Sequence, residues 1–136
     1  MADITITAAN VAYVSGVTEH RVAGETLTAG QPVYIDASNA YKCYLARAIE
    51  ATKDDVWGIT LSGAVANQHV VLQRTGVVTI GATLTAGKPY VLSSTYGRIA
   101  PFSDLEATEY LSIIGIAVSA ANLGLSLMTT GAQVAS

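Results

Sequence analysis

A nine-residue segment that occurs twice is the feature that most constrains the fold of this chain. The run Gly-Glu-Thr-Leu-Thr-Ala-Gly-Gln-Pro at residues 24–32 returns as Gly-Ala-Thr-Leu-Thr-Ala-Gly-Lys-Pro at residues 81–89. The register continues downstream, where Trp57-Gly58-Ile59 aligns with Ile114-Gly115-Ile116. Two copies are too few for a solenoid, which needs about three or more repeats. The chain is therefore predicted to hold a duplicated structural unit.

Short segments with strand character follow one plan in each copy. In the first copy they span residues 32–35, 41–46, 56–61 and 70–74, and in the second copy 89–92, 98–101, 113–118 and 125–128, with a linking strand at 77–80. Glycine in the repeated turn allows a positive φ, and proline suits the first position of a strand. Short strands separated by frequent turn signals are typical of sandwiches and barrels. We predict an all-β fold, a small β-barrel or sandwich built from two tandem repeats of about 55–57 residues, repeat one about 24–80 and repeat two about 81–136.

The beginning of the chain lies outside the duplication. Residues 3–7, Asp-Ile-Thr-Ile-Thr, alternate polar and apolar side chains with the period of a half-buried strand. Residues 12–14 suggest a second extended piece, and Gly16 with the polar residues 19–21 marks a break. We therefore predict an extended N-terminal arm over residues 1–20, followed by a single β domain over residues 21–136.

Composition limits the classes of function. A chain of 136 residues can bury a core of its own, and 51% of its residues are hydrophobic, yet no apolar run approaches the length of a membrane span. The first residues lack the basic and apolar pattern of a secretory signal. Charged residues make up 12% of the chain, the formal net charge is -3, and basic residues are not clustered. We expect neither a nucleic-acid nor a membrane partner, and the low charge favours assembly with other proteins over a monomer with a hydroxylated exterior.

The search for catalytic or metal-binding groups yields little. The single Cys43 excludes an internal disulfide, fits a reducing cytoplasm, and is predicted to be a core thiol. His20 and His69 are far apart in sequence and are predicted to be exposed polar residues rather than zinc ligands. The adjacent pair Asp54-Asp55 is predicted to lie in a solvated loop, and no Gly-x-Ser-x-Gly nucleophile elbow occurs. We expect no enzyme activity, no cofactor and no metal.

Aromatic residues leave two interpretations open. Trp57 is predicted to be a core residue or a subunit contact, and Ile59 and Leu61 on the same strand are further subunit-contact candidates. Four tyrosines could form a platform for a sugar, although alternation within strands favours core packing. They are Tyr41, Tyr44, Tyr90 and Tyr96.

Four segments of the chain carry a resemblance to a known group of proteins. They are Ala-Asp-Ile-Thr-Ile-Thr-Ala-Ala-Asn-Val at 2–11, Thr-Leu-Thr-Ala-Gly-Gln-Pro-Val-Tyr-Ile-Asp at 26–36, Trp-Gly-Ile-Thr-Leu-Ser-Gly-Ala at 57–64 and Ile-Ile-Gly-Ile-Ala-Val-Ser-Ala-Ala-Asn-Leu-Gly-Leu at 113–125. These segments resemble small structural proteins encoded in the head-gene region of tailed bacteriophages, the capsid decoration (cement) proteins. The resemblance covers nearly the whole chain, and its motifs are turn and strand patterns.

The resemblance implies a β-rich, non-enzymatic virion protein made in the bacterial host cytoplasm. Such a protein binds the exterior of an expanded capsid, contacts the major capsid protein, and is often a homotrimer. On this interpretation the shell contacts lie in the arm, with the apolar Ile4 and Ile6 facing a partner and Asp3, Thr5 and Thr7 facing the other side. The alternative for these five residues is an edge strand of the barrel itself or of a neighbouring copy.

Two other functions remain open. One is a head-fibre or tail-associated adhesion module that binds a surface glycan through exposed tyrosines. The other is a catalytic domain with an unrecognised constellation of residues, which would need a concave polar pocket holding perturbed carboxylates or His69.

Overall fold

Two antiparallel β-sheets make up the protein. The computed structural model describes residues 3–50, 52–107 and 109–133, and within these ranges it contains short 3-10 helices at Ala8–Asn10, Ala37–Asn39 and Phe102–Asp104 but no α-helix. The strands are β1 (Val11–Ser15), β2 (Thr18–Val22), β3 (Pro32–Asp36), β4 (Lys42–Leu45), β5 (Gly58–Thr60), β6 (His69–Gln73), β7 (Gly76–Ile80), β8 (Pro89–Leu92), β9 (Ile99–Pro101), β10 (Tyr110–Ala117) and β11 (Asn122–Gln133). The predicted all-β class is confirmed, as a small β-sandwich.

The two sheets share one strand order. The five-stranded sheet runs β2-β6-β5-β3-β4, and the six-stranded sheet runs β1-β7-β11-β10-β8-β9. Apart from β1, each sheet consists of five strands that are consecutive in the chain. In both sheets the first of these strands pairs with the fifth and the fifth with the fourth. The fourth then pairs with the second, and the second with the third. The predicted linking strand is therefore the first strand of the six-stranded unit, and β2 has the same place in the other unit. The sequence duplication itself stays a prediction.

Backbone hydrogen bonds recur at aligned residues of the two units. The amide of Gly30 donates to the carbonyl of Thr60 at 2.8 Å, and the amide of Gly87 donates to that of Ala117 at 2.7 Å. Both glycines have positive φ, 89° and 84°, which a residue with a side chain rarely adopts. The prolines that follow the two turns begin β3 and β8, as predicted.

The main core lies between the sheets. Ile59 and Tyr34 from the five-stranded sheet pack there against buried residues of the six-stranded sheet such as Leu92, Ile114 and Leu123. A second, smaller core covers the opposite face of the five-stranded sheet and contains Ala23, Leu27, Val33, Cys43, Val70 and Leu72. A bridge between Ala23 and Cys43 joins the two edges of this sheet, so that it curls around its own core.

Residues of the predicted arm are integrated into both sheets. The segment 3–7, predicted to be a strand, has no strand assignment; it is held by bonds from the Ile4 amide to the Ile99 carbonyl and from the Thr7 amide to the Gly81 carbonyl, at 2.9 and 2.8 Å. β1 pairs with β7 at the edge of the six-stranded sheet, and β2 pairs with β6 in the other. Glu19, His20 and Arg21, predicted to form a break, lie within β2 because edge strands accommodate charged side chains.

Candidate contact surfaces

The five arm residues predicted to touch a capsid divide into two groups. Ile4 and Ile6 are half-buried and pack against the main core of the same chain, whereas Thr5 and Thr7 are exposed. The prediction that the two isoleucines face a partner does not describe this arrangement. Alternation in the sequence identified the shared face of Ile4 and Ile6, but it could not identify what covers that face.

Asp3 also belongs to the chain's own structure. Its carboxylate accepts a hydrogen bond from the hydroxyl of Ser93, which is fully buried at the end of β8. The same hydroxyl accepts from the amide of Thr95 at 3.1 Å. Asp3 therefore fastens the beginning of the described chain to the β8–β9 turn, and its role as a shell contact stays a prediction.

The strand that follows offers an open edge. β1 pairs on one side with β7, and no strand among the described residues pairs with its other side. Its sequence, Val-Ala-Tyr-Val-Ser, contains no charge and no proline, and its Tyr13 and Val14 side chains are exposed. The opposite edge strand, β9, ends in Pro101, and the edges of the other sheet carry Glu19, Arg21 and Lys42. Charges and prolines protect edges from pairing, and β1 carries neither, although its pairing with β7 shifts register between Tyr13 and Ser15.

Trp57 is half-buried and fixed by polar partners. Its indole Nε1–H donates to Glu19 Oε2 at 2.6 Å, and the guanidinium carbons of Arg74 and Arg21 lie 3.6 and 5.3 Å from its ring centroid. Hydrogen bonds from Arg21 and then from Trp57 lower the pKa of the Glu19 carboxyl. Two cations of the same chain therefore lie over the indole ring, and a role of Trp57 as a subunit contact stays a prediction.

The other two subunit-contact candidates lie on the inner face of the five-stranded sheet. Ile59 has 0% exposure in the main core, and Leu61 is half-buried against the same core. Ile59 therefore has no surface to offer another subunit. Ile116 and Val118, which align with them in the second repeat, are exposed and were not among the predicted contacts. The repeat register was the signal that could have found them.

Groups with potential chemistry are dispersed. Cys43 is buried, as predicted, and desolvation raises the pKa of its thiol to about 11. His20 and His69 are exposed, as predicted. Asp54, predicted to be solvated, is instead buried, and that burial raises the pKa of its carboxyl. Asp55 is exposed and accepts a hydrogen bond from the Thr129 hydroxyl at 3.1 Å. In the described ranges, no three His, Cys, Asp or Glu side chains are grouped as metal ligands.

The four tyrosines predicted to be core residues or a sugar platform differ in exposure, and the sugar platform stays a prediction. Tyr90 is buried and Tyr44 is half-buried, whereas Tyr41 and Tyr96 are exposed. A cavity of about 470 Å³ is lined by Tyr34, Tyr41, Trp57, Arg21 and Asp55 among other residues. This cavity combines aromatic walls with both signs of charge.

Fold and surface define an all-β sandwich protein with an unprotected sheet edge. No protein-family model matches the chain, and no curated protein matches it in sequence. Among the residues that the structure describes, none of the helices has the length and apolar character to cross a membrane.

Proposed function

We propose that this chain is a non-enzymatic structural protein of a phage virion, a decoration (cement) protein that binds the exterior of an expanded capsid and bridges its subunits. Its partner is the major capsid protein, it acts as a homo-oligomer, with a trimer favoured, and it is made in the bacterial host cytoplasm. The four resembling segments, the all-β fold and the low content of charged residues support this proposal.

The observation that carries the proposal is the β1 edge, Val11–Ser15. An exposed edge presents unpaired backbone N–H and C=O groups, and an extended segment of another protein can complete them as an added strand. The edge is neutral, so a partner needs no matching charge, and Ala12 and Val14 provide apolar contacts beside the backbone bonds. Residues 3–10 precede this edge in the chain, with Ile4 bonded to Ile99 of β9, and their exposed Thr5 and Thr7 are further candidates for contact with the shell.

Stabilisation of the shell follows from contacts made only in the expanded state. Each apolar contact at a junction contributes roughly 25 cal/mol per Å² buried, before the cost of ordering the interface. Several copies of the edge in one oligomer bind neighbouring capsid subunits together, and the linked contacts act at high effective concentration. Because the partner segments become accessible only on expansion, binding shifts the shell towards the expanded state.

Co-sedimentation with purified heads tests the proposal. Wild-type chain is expected to pellet saturably with expanded shells and not with unexpanded shells. Val14→Lys places a charge on the β1 edge and is expected to weaken binding by at least about tenfold. Val65→Lys is the matched control, because Val65 is also an exposed valine but lies in the turn before β6. If the wild type pellets with neither form, the decoration proposal fails.

The second candidate function is a glycan-binding adhesion module of a head fibre or tail. The aromatic cavity beside Tyr41 is the observation that favours it. Titration of the wild type with a host surface polysaccharide is then expected to give saturable heat that Tyr41→Ala abolishes. Tyr96→Ala is the control, because Tyr96 is exposed but is held by Lys53 and Glu50 outside this cavity.

A further inference from the structure

A pocket beside β8 and β9 of the six-stranded sheet is open, although the equivalent place in the five-stranded sheet is closed. The pocket has a volume of about 360 Å³ and lies where Tyr90 pairs with Pro101. Pro89, Lys88 and Phe102 line it as well, and Phe102 is 45% exposed. Two prolines and two aromatic residues therefore make up most of its wall.

The equivalent place in the five-stranded sheet is covered by the chain itself. There Val33 pairs with Leu45, and Gln31 takes the position that Lys88 has in the second repeat. The β8–β9 turn lies directly on these residues, since a Cβ on its Gly97 would lie 2.6 Å from Leu45 Cδ2 and 3.5 Å from Gln31 Nε2. Equivalent ends of the two sheets therefore differ in whether the chain supplies a cover.

An aliphatic side chain near the beginning of the chain completes the cover in the first repeat. A Cβ on the turn glycine Gly30 would lie 2.7 Å from Cγ2 of Ile6, so Ile6 packs on that turn. The equivalent glycine of the second repeat is Gly87, and no atom of the described residues lies within 4 Å of a Cβ built on it. The first turn is thus closed by a peptide segment that carries an isoleucine, and the second turn lacks such a segment.

The two repeats also satisfy one turn amide in different ways. In the first repeat the Thr28 amide donates to Oε1 of Gln31 at 2.9 Å. In the second repeat the Thr85 amide donates to the Tyr90 hydroxyl at 2.9 Å, so the side chain of Lys88 is not needed to cap the turn. Lys88 is exposed and forms no side-chain hydrogen bond or ion pair with the described residues. The pocket therefore combines an apolar wall with one unpaired positive charge.

We infer that this pocket binds a segment of the capsid shell in which an aliphatic residue stands beside a carboxylate. The apolar wall takes the aliphatic side chain, as Ile6 fills the equivalent place, and the carboxylate pairs with Lys88. A second copy of the chain does not offer its own Asp3 for this purpose, because that carboxylate accepts a hydrogen bond from Ser93. The inference rests on the proposed decoration function and adds a second shell contact to it.

The pocket and the β1 edge lie towards opposite sides of one sheet. The strand order is β1-β7-β11-β10-β8-β9, and neighbouring strands are about 4.8 Å apart, so roughly 19 Å separates β1 from β8. A single chain can therefore hold segments of two capsid subunits. Bridging of the shell then begins within one chain.

Co-sedimentation with expanded shells tests the inference through Lys88. Lys88→Glu is expected to weaken binding by at least about tenfold, because it places a like charge opposite the carboxylate. Arg98→Glu is the matched control, since Arg98 is also exposed but lines a different cavity, and it is expected to bind like the wild type. If Lys88→Glu binds as tightly as a wild type that pellets, the inference is wrong and the decoration proposal stands. A wild type that pellets with neither shell form removes both.

A peptide titration followed by NMR tests the pocket without any shell. The probe is acetyl-Ala-Asp-Ile-Thr-Ile-Thr-Ala-amide, which has the sequence of residues 2–8 and carries an isoleucine beside an aspartate. Saturable shifts are expected at the amides of Lys88, Phe102 and Ser103, and Lys88→Glu should lose them. The control peptide has lysine in place of aspartate and is expected to bind at least about tenfold more weakly.

Three results of this titration would overturn the inference. Equal affinity for the two peptides would mean that Lys88 selects no carboxylate, and an absence of shifts would mean that the pocket takes no such segment. Peptide binding by a wild type that pellets with no shell would assign the pocket to a partner other than the capsid.

Discussion

Ile59 and Ile116 occupy equivalent positions in the two units of the chain, yet one is fully buried between the sheets and the other is 49% exposed. The difference arises because the same face meets the other sheet in the five-stranded unit but not in the six-stranded unit. The face of the five-stranded sheet that holds Ile59 packs on the six-stranded sheet through the main core, whereas Ile116 and Val118 are exposed on the other side of the six-stranded sheet. Equivalent positions of the two units therefore carry chemically similar side chains that are buried in one unit and exposed in the other.

Alanine substitution at these two positions is expected to separate their roles. Ile59→Ala should lower the free energy of unfolding by about 2–5 kcal/mol, because it leaves a cavity in the main core. Ile116→Ala should cost less than about 1 kcal/mol in the monomer, because its side chain is half exposed there. Urea unfolding at low chain concentration measures both. Equal losses would contradict the placement of Ile59 in the core.

The segment before β1 is expected to contribute to stability. Deleting residues 2–10 removes Ile4 and Ile6 from the main core together with the backbone bonds to Ile99 and Gly81. The free energy of unfolding should fall by about 2–4 kcal/mol, from partial burial of two isoleucines and the lost hydrogen bonds. Thr5→Ala and Thr7→Ala, at exposed positions, are the controls and should change it by less than about 0.5 kcal/mol. An unchanged urea midpoint in the deletion variant would mean that the segment does not pack as described.

Strand positions were predictable because local patterns decide them. The segments 32–35, 70–74, 77–80 and 89–92 each lie within one residue of an observed strand, since turn glycines and strand-initial prolines mark their limits. β11 is much longer than the segment predicted at 125–128, because pairing with both β7 and β10 extends a strand beyond its own apolar pattern.

The contact surfaces were less predictable, because they depend on which faces meet. Trp57 is a residue type common in subunit contacts, but Glu19 and Arg21 of β2 and Arg74 after β6 contact its ring. Asp54 has the sequence context of a solvated loop, yet it is buried. Neither arrangement has a local signal, since the partners come from elsewhere in the chain.

Substitution of Gln73 is expected to lower stability, because its side chain lies between the end of β1, the turn after β6 and the beginning of β7. It is fully buried, and its Nε2 lies within 2.8 to 2.9 Å of the carbonyls of Ser15, Thr75 and Val77. Gln73→Leu should cost about 1–3 kcal/mol, because it leaves these carbonyls without a donor. Gln73→Glu should cost more at neutral pH, where a carboxylate would face the same oxygens, and should recover in part as the pH is lowered. Thermal unfolding that ranks the two variants in the opposite order would contradict this geometry.

Cys43 is expected to react slowly and to make stability depend on alkaline pH. Burial raises the pKa of its thiol from 9.0 to about 11, so the unfolded chain loses this proton at lower pH than the native chain does. The resulting stabilisation is fully present below pH 9 and is lost as the pH rises towards 11. Relative to Cys43→Ala, the wild type should therefore lose stability over this window. At pH 8, labelling of the native thiol by a disulfide reagent should be at least about a hundredfold slower than labelling in denaturant.

Trp57 is the single tryptophan of the chain, so its fluorescence should report the protonation of Glu19. The hydrogen bonds from Arg21 and Trp57 lower the pKa of this carboxyl from 4.5. The stabilisation by the ionised Glu19 is therefore complete above pH 4.5 and is lost as the pH falls through the lower native pKa. Protonation weakens the bond from the indole Nε1–H, and we expect a shift in emission with a midpoint below pH 4.5. Glu19→Gln should lack this transition, because an amide oxygen accepts the indole bond at every pH. Asp55→Asn is the control, since Asp55 lines the same cavity without a hydrogen bond to the indole, and it should keep the transition. A transition that persists in Glu19→Gln and disappears in Asp55→Asn would assign the pH response to Asp55 instead.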